Sequence, residues 1–344
     1  MRALFYPSWG ALELRDVPKP SLVGGEVLVR VSNCGICSSE LETFRTKSVR
    51  RTPPLVMGHE FCGYIAEANG TQSGWKEGDK VIAHALIHCG KCAACLRGDT
   101  NLCIERKVFG MHRAGGFAEY VAVPGHVLIP WSDGTPGTTA VLAEPLATGI
   151  NAMRQGPTAR KSRVLVIGSG PIGLMCVFAA KRLHNSNVVA SDMIPERVDA
   201  ARLMGADLTV NAERQNIEPE IAKHWSGEKA EFVIDAVGSA KTKLLSLELI
   251  EPGGMVVWLG LEEDRIVLNS YALTLGQKLV SGTYSGSLND FQQAAQLLAS
   301  GALDTRWITE YPLAKADTAF HAMLSGKGNS IKAILQIGEP LSKS

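Results

Sequence analysis

At 344 residues the chain exceeds the length at which one hydrophobic core stops growing, so two domains are expected. A formal net charge of +1 with 20% charged residues gives no broad field for nucleic acid or an anionic membrane, and points to a small-molecule partner. The longest uncharged run, Val164 to Ala180, carries three glycines and a proline, so it reads as a buried strand and helix and not as a membrane span. The opening stretch MRALFYPSWGALELRD has no apolar run of signal-peptide length. A soluble, reducing, cytoplasmic setting is expected, and there disulfides are rare.

From Met1 to about Ala147 the pattern is strand-like. EVLVRV and DKVIAHAL alternate or run apolar, and turns such as LVGGE separate them, which predicts a mainly β domain. Within it lies HCGKCAACLRGDTNLC, residues 88–103. Cys89, Cys92, Cys95 and Cys103 are separated by two, two and seven residues, which lets a short loop wrap four thiolates around a soft ion such as Zn2+. Gly90 permits the tight backbone that two-residue spacers demand, and its amide is placed to meet a sulfur. A redox pair and a set of buried free thiols are the alternatives. Four sulfurs saturate the ion and leave no position for substrate, so a zinc here is structural and catalysis lies elsewhere.

After about Gly156 long apolar strands alternate with helical segments: SRVLVIG, PIGLMCVFAAKRL, NVVASD, PERVDAARLMG, FVIDAVG, AKTKLLSLELI and GGMVVWLG. That repeat predicts an α/β unit, a doubly wound parallel sheet of Rossmann type with both faces covered. Gly168, Gly170 and Gly173 form GxGxxG directly after RVLVI and at the start of a helical pattern. The first glycine turns the chain, the second lets backbone approach a pyrophosphate, and the third lets helix and strand pack closely. With Pro171 and Ile172 between them, these glycines are the candidate dinucleotide-binding turn, whose free amides hold phosphate. Asp192 ends the next strand, where a carboxylate accepts hydrogen bonds from the ribose hydroxyls of NAD and repels the extra phosphate of NADP. NAD is therefore expected. Arg197 has two readings, a neighbour of the adenosine ribose that permits dual cofactor use, or a solvated helix arginine. The alternation ends near Thr283, and the tail holds a helix, LNDFQQAAQLLASG, and a strand, IKAILQI.

A dinucleotide domain joined to a β domain with a closed cysteine knuckle resembles the zinc-dependent medium-chain dehydrogenases, especially the branch containing sorbitol, threonine and galactitol-phosphate dehydrogenases. The likeness runs through NCGICSSE, VMGHEFCGYI, GDKV, the four-cysteine stretch, GGFAEYVAVP, LAEPLATGINA, GxGxxG and IKAILQI. It implies a GroES-like catalytic domain over residues 1–150 with both zinc sites, a Rossmann NAD-binding domain over 151–285, and a return to the catalytic domain over 286–344. It also implies a catalytic zinc held by residues far apart in sequence. These are Cys37 of GICSSE, His59 of GHE and Glu144 of AEPL, with Glu60 a direct or intermittent ligand. Singly, His59 also reads as a core histidine and Glu144 as a helix-start carboxylate favoured by the dipole. Cys34, Cys62, Cys176 and the other histidines are expected to be structural. Two zinc ions per chain and a homotetramer or homodimer follow from the resemblance.

A mixed sulfur, nitrogen and oxygen set that fills three positions keeps one open, as a catalytic zinc requires. The implied reaction is hydride transfer between NAD and a secondary alcohol, giving the ketone, with the ion as Lewis acid. Ser39 matches the family's relay hydroxyl and Glu40 the acid that orients the metal ligands. Many members carry a histidine two positions beyond that acid; here Glu42 stands there, so Glu42, ordered water and Glu60 are alternative routes for proton release. A polyol or polyol phosphate is the expected substrate, with threonine or a simple secondary alcohol as the alternative. Two rival classes remain. A zinc-free reductase on the same fold lacks both cysteine-based sites, and a non-catalytic zinc-knuckle binding module has no need of GxGxxG.

Overall fold

The computed structural model describes residues 1–68, 74–156, 161–325 and 330–338. Two units are distinguished, Met1–Glu144 with Ser287–Ser344, and Pro145–Gly286.

In Pro145–Gly286 the apolar runs pair into a six-stranded sheet. Its order is Leu208–Asn211, Asn187–Asp192, Arg163–Ile167, Ala230–Asp235, Ile250–Trp258 and Leu279–Gly282. Every pairing is parallel. Val164, Leu165 and Val166 are fully buried because helices cover the sheet, which is why the run is continuously apolar and does not alternate. The strand order reverses beside Arg163–Ile167, the topological switch point at whose carboxyl ends α/β sheets bind ligands. The helix Pro171–His184 follows that strand directly, with proline at its first turn, where the absent N–H is no loss, and Asn185 closing it in the left-handed conformation. Leu165, Ile167, Val189, Val210, Ile221 and Val233 form the core. This is the doubly wound sheet that the strand and helix alternation predicts.

The other unit is mainly β. Its largest sheet runs Leu128–Pro130, Lys80–Ala83, Glu60–Glu67, Glu26–Gly35, Lys332–Gln336 and Ile308–Pro312, with Tyr120–Pro124 also pairing to Glu26–Gly35. Glu26–Gly35 is central, and nine of its ten positions are buried. The late strand Lys332–Gln336 lies antiparallel beside its end, Ile334 opposite Gly35 and Gln336 opposite Asn33. Phe61, Phe109, Phe117 and Phe320 fill the core between this sheet and a smaller one made by Glu13–Asp16, Arg2–Tyr6 and Leu55–Val56. Strands Leu86–Ile87 and Lys107–Val108 pair at the base of the cysteine-rich loop. Among the described residues no helix is long and apolar enough to cross a membrane.

Candidate functional site

The central strand delivers the first candidate ligand. It ends at Gly35, and the helix Ser38–Thr46 starts with Cys37 as its N-cap. Glu40, in the helix's first turn, reaches back to accept from the Cys37 amide at 3.0 Å. Its other oxygen accepts from the Gly58 amide at 2.8 Å and lies 2.9 Å from His59 Nδ1. One fully buried carboxylate thus bonds the backbone of one candidate ligand and the ring of the other. Gly58 has φ +98, and a Cβ there would meet Phe117 and the Cys34 sulfur, so only glycine makes the turn that presents His59.

The strand Glu60–Glu67 lies antiparallel to Glu26–Gly35 with Gly35 opposite Glu60, which brings GHE to GICSSE. One ligand atom each from Cys37, His59 and Glu60 lies within 4.8 Å of the others. Glu60 Oε2 accepts from Lys332 Nζ, which also donates to the Ile36 carbonyl at 3.0 Å. Glu60 Oε1 is buried and finds no hydrogen-bond partner among the described residues. A buried acceptor left unpaired is expensive unless something binds it. A thiol, an imidazole and this orphaned oxygen fit a zinc ion.

Charges in the site are strongly coupled. Burial works against the His59 imidazolium, but the Glu40 carboxylate, followed by Cys37, outweighs it and holds His59 well above the ordinary histidine value. Burial would raise Glu40, yet His59 and then Arg51 bring it below the usual carboxylate range. Burial likewise opposes the Lys332 charge, and Glu60 overrides it, so that lysine is raised.

The structure brings together Cys37, His59 and Glu60, with Ser39 and Glu40 alongside. It does not bring Glu144 into that close group; Glu144 opens the helix Ala143–Arg154, nearly buried and engaged in contacts of its own. The Ser39 hydroxyl donates to Cys37 Sγ at 3.3 Å and accepts from Arg51 Nη2 at 2.9 Å. Glu42 accepts from the Thr46 hydroxyl of its own helix at 3.0 Å. Neither Arg51 nor Lys332 is marked as part of a site by motif or spacing. Arg51 sits in VRR, which reads as a solvated basic run, although it is 2% exposed. Lys332 had one signal, a lysine inside the apolar strand IKAILQI.

The four sulfurs of Cys89, Cys92, Cys95 and Cys103 form a second group, again within 4.8 Å of one another. Cys92 and Cys95 sulfurs are 3.5 Å apart, and the amides of Cys89 and Cys92 point at the sulfurs of Cys103 and Cys89 at 3.3 and 3.4 Å. No disulfide joins any of them. Backbone amides of Cys95 and Ile104 pull the Cys92 thiol well below its ordinary value. Gly90 has φ +72, and its amide faces Cys95. The amides favour the thiolate, the form that binds zinc, at Cys92, whereas burial and then the Cys92 sulfur push the Cys95 thiol up to about 12.

In the parallel-sheet unit Gly168 has φ +90, and a Cβ on Gly173 would run into the Gly168 carbonyl oxygen. A Cβ on Gly170 would have Arg197 Nη1 as its nearest neighbour, 4.0 Å away, so the face of the turn above Gly170 is open to a phosphate. Asp192 closes the turn, accepting from the Ser169 amide at 2.8 Å and from the Ile194 amide at 2.9 Å. Arg197 Nη1 lies 3.8 Å from Asp192, which places the arginine beside the carboxylate.

Comparisons with known proteins agree with this chemistry. A family model described as alcohol dehydrogenase GroES-like domain matches residues 24–133, and one described as zinc-binding dehydrogenase matches residues 171–300. The L-threonine 3-dehydrogenase of Pyrococcus furiosus is 31% identical, over 96% of this chain and 97% of the relative. The L-galactonate-5-dehydrogenase of Escherichia coli is 30% identical, over 93% and 94%. A solved alcohol dehydrogenase structure from E. coli CFT073, complexed with the cofactor NADH, superposes with a TM-score of 0.89 at 26% identity, covering 98% of this chain and 99% of that one.

Proposed function

We propose, for a chain that belongs to the zinc-binding alcohol dehydrogenase family and is an oxidoreductase exchanging a hydride between NAD and an alcohol, that its substrate is a polyol or polyol phosphate oxidised at a secondary carbinol. Relatives named for L-threonine and L-galactonate support a secondary alcohol with polar neighbours. Threonine itself is the second reading, favoured by the first of those relatives.

The observation that carries the site assignment is the convergence of Cys37, His59 and the unpaired Glu60 oxygen. Cys37, His59 and Glu144 would hold the catalytic zinc, with Glu60 a direct or intermittent ligand, so that one position stays open to the alcohol. When bound, zinc supplies Lewis acidity at the alcohol oxygen and NAD accepts the hydride, so that alcohol and NAD+ give ketone, NADH and a proton. Glu40 keeps His59 Nδ1 occupied and leaves Nε2 for the ion. Ser39 has one donor and two lone pairs; Cys37 takes the donor, Arg51 takes one lone pair, and the other is left to accept from the substrate hydroxyl. Gly168, Gly170, Pro171, Ile172 and Gly173 would seat the pyrophosphate, Asp192 holding their turn in shape and meeting the ribose, with Arg197 at its side. Cys89, Cys92, Cys95 and Cys103 would brace their lobe around a structural zinc.

A cytoplasmic homodimer or homotetramer is part of the same reading. Association of copies is supported by the edge strand Leu279–Gly282, which pairs on one side only among the described residues and has Leu279, Val280 and the neighbouring Tyr271 and Leu275 exposed, an apolar edge of the kind that a second copy covers.

The test is an NAD-linked assay with polyols, polyol phosphates, threonine and simple alcohols, run beside His59→Ala. Turnover of polyols that disappears in His59→Ala, with NADH binding retained, is the expected result. Activity confined to primary aliphatic alcohols would remove the substrate assignment, and full activity in His59→Ala would remove the site.

A further inference from the structure

We propose that Arg51 is a positioning residue of the metal site, its buried guanidinium gripping Ser39 so that the Ser39 hydroxyl is held against the Cys37 sulfur; this rests on the reading of Cys37 and His59 as metal ligands. Arg51 lies one short turn after the helix that carries Ser39, in the 3-10 segment Val49–Arg51 capped by Ser48. Nη1 donates to the Ser39 carbonyl at 2.9 Å and Nη2 donates to the Ser39 hydroxyl at 2.9 Å, while Nη1 also reaches Thr43 Oγ1 at 3.4 Å. Two planar donors on one residue fix both its backbone and its side chain, which the point charge of a lysine does not do.

The consequence passes to the sulfur. With a charged donor on its oxygen, the Ser39 hydroxyl is polarised and becomes a stronger donor to Cys37, 3.3 Å away. A hydrogen bond to a ligand sulfur withdraws charge from it and sets its orientation, as outer-shell partners of metal ligands do. A guanidinium has five donors and no acceptor, so Arg51 gives Ser39 no onward path for a proton and acts by placement. A buried arginine on a mere surface turn has no reason to be 2% exposed, whereas one that organises Ser39 does.

The test compares wild type, Arg51→Lys, Arg51→Met, Ser39→Ala and the double variant Arg51→Met/Ser39→Ala. It reads zinc loss to a chelator from the Cys37 site and, with Co(II) exchanged into that site alone, the sulfur-to-cobalt charge-transfer band. Arg51→Met and Ser39→Ala should each speed zinc loss roughly tenfold and move the band in one direction. The double variant should go no further than the larger single one, and Arg51→Lys should recover part of the effect. An unchanged band and zinc loss in Arg51→Met, or effects that multiply in the double variant, would overturn the role of Arg51. Should Arg51→Met fail to fold, Arg51→Lys in the wild-type and Ser39→Ala backgrounds makes the same comparison, and an equal effect in both backgrounds overturns the role. A band that survives Cys37→Ala would instead overturn the metal reading beneath it.

Discussion

Lys332 and Glu60, 272 positions apart in the chain, form an ion pair in which each side chain is 1% exposed. Taking two charges out of water is repaid only by close geometry and by further hydrogen bonds, here the Ile36 carbonyl on the lysine. Lys332→Met leaves the Glu60 carboxylate buried without its cation and should lower the unfolding free energy by about 3–5 kcal/mol in urea denaturation. The same change made in a Glu60→Gln background should cost much less. Equal losses in the two backgrounds would mean that packing, and not the pair, is what Lys332 supplies.

Cys95→Ala takes one thiolate from a group whose four sulfurs lie within 4.8 Å. Metal analysis should show zinc falling from two equivalents toward one, and the unfolding temperature should drop, because metal-binding energy at such a loop is folding energy. Turnover per folded molecule should survive. Unchanged zinc content would rule out a closed four-cysteine site.

Gly173→Ala puts a methyl group where the Gly168 carbonyl oxygen already sits. Backbone must move, at roughly 1–3 kcal/mol for overpacking, and the turn that faces the pyrophosphate moves with it. NADH should bind about tenfold more weakly or worse in a fluorescence titration, about 1.4 kcal/mol. Wild-type affinity in this variant would show that the close approach of helix and strand does not shape the cofactor turn.

Asp235 supplies a pH signature. Burial raises its carboxyl above the ordinary value, against the lowering effect of the Gly238 and Val237 amides and the Thr242 hydroxyl, bonded at 3.0, 3.0 and 3.1 Å. The folded chain therefore holds this proton more tightly than the unfolded chain. Between the unfolded value of 3.8 and the raised folded one, the native state carries more protons, so this group's contribution to stability is present below that window and declines as pH rises through it. Asp235→Asn removes that slope. Urea midpoints measured from about pH 4 to about pH 7 should fall less steeply for the variant than for wild type; parallel curves would assign the slope to other groups.

What could be read from the chain in advance follows from how local each feature is. The turn at Gly168, Gly170 and Gly173 and the cysteines at 89, 92, 95 and 103 place all their chemistry within a few residues, so spacing alone carries the geometry. The alternating apolar runs likewise report a covered parallel sheet, since burial on both faces leaves a direct mark on composition. Cys37, His59 and Glu60 meet only through the register that sets Gly35 opposite Glu60, and no periodicity encodes a register between distant strands; resemblance to a family pointed to them. Glu144, reached by the same resemblance, stands outside their close group. The roles of Arg51 and Lys332 are not legible because a charged side chain in sequence reads as solvated, and its burial is decided by partners at Ser39 and Glu60 that only the folded chain supplies; the lysine inside apolar IKAILQI hints at burial without naming a partner.

The place of Lys332–Gln336 beside the end of the central strand bears on how the protein is made. A ribosome adding roughly 5–20 residues per second needs roughly 14–54 s to travel the 272 positions from Glu60 to Lys332. Throughout that interval the nascent chain holds an acid without its cation and a strand end without its neighbour, an edge open to mispairing. The end of the central strand at Asn33–Gly35 is thus completed only when the last part of the chain emerges.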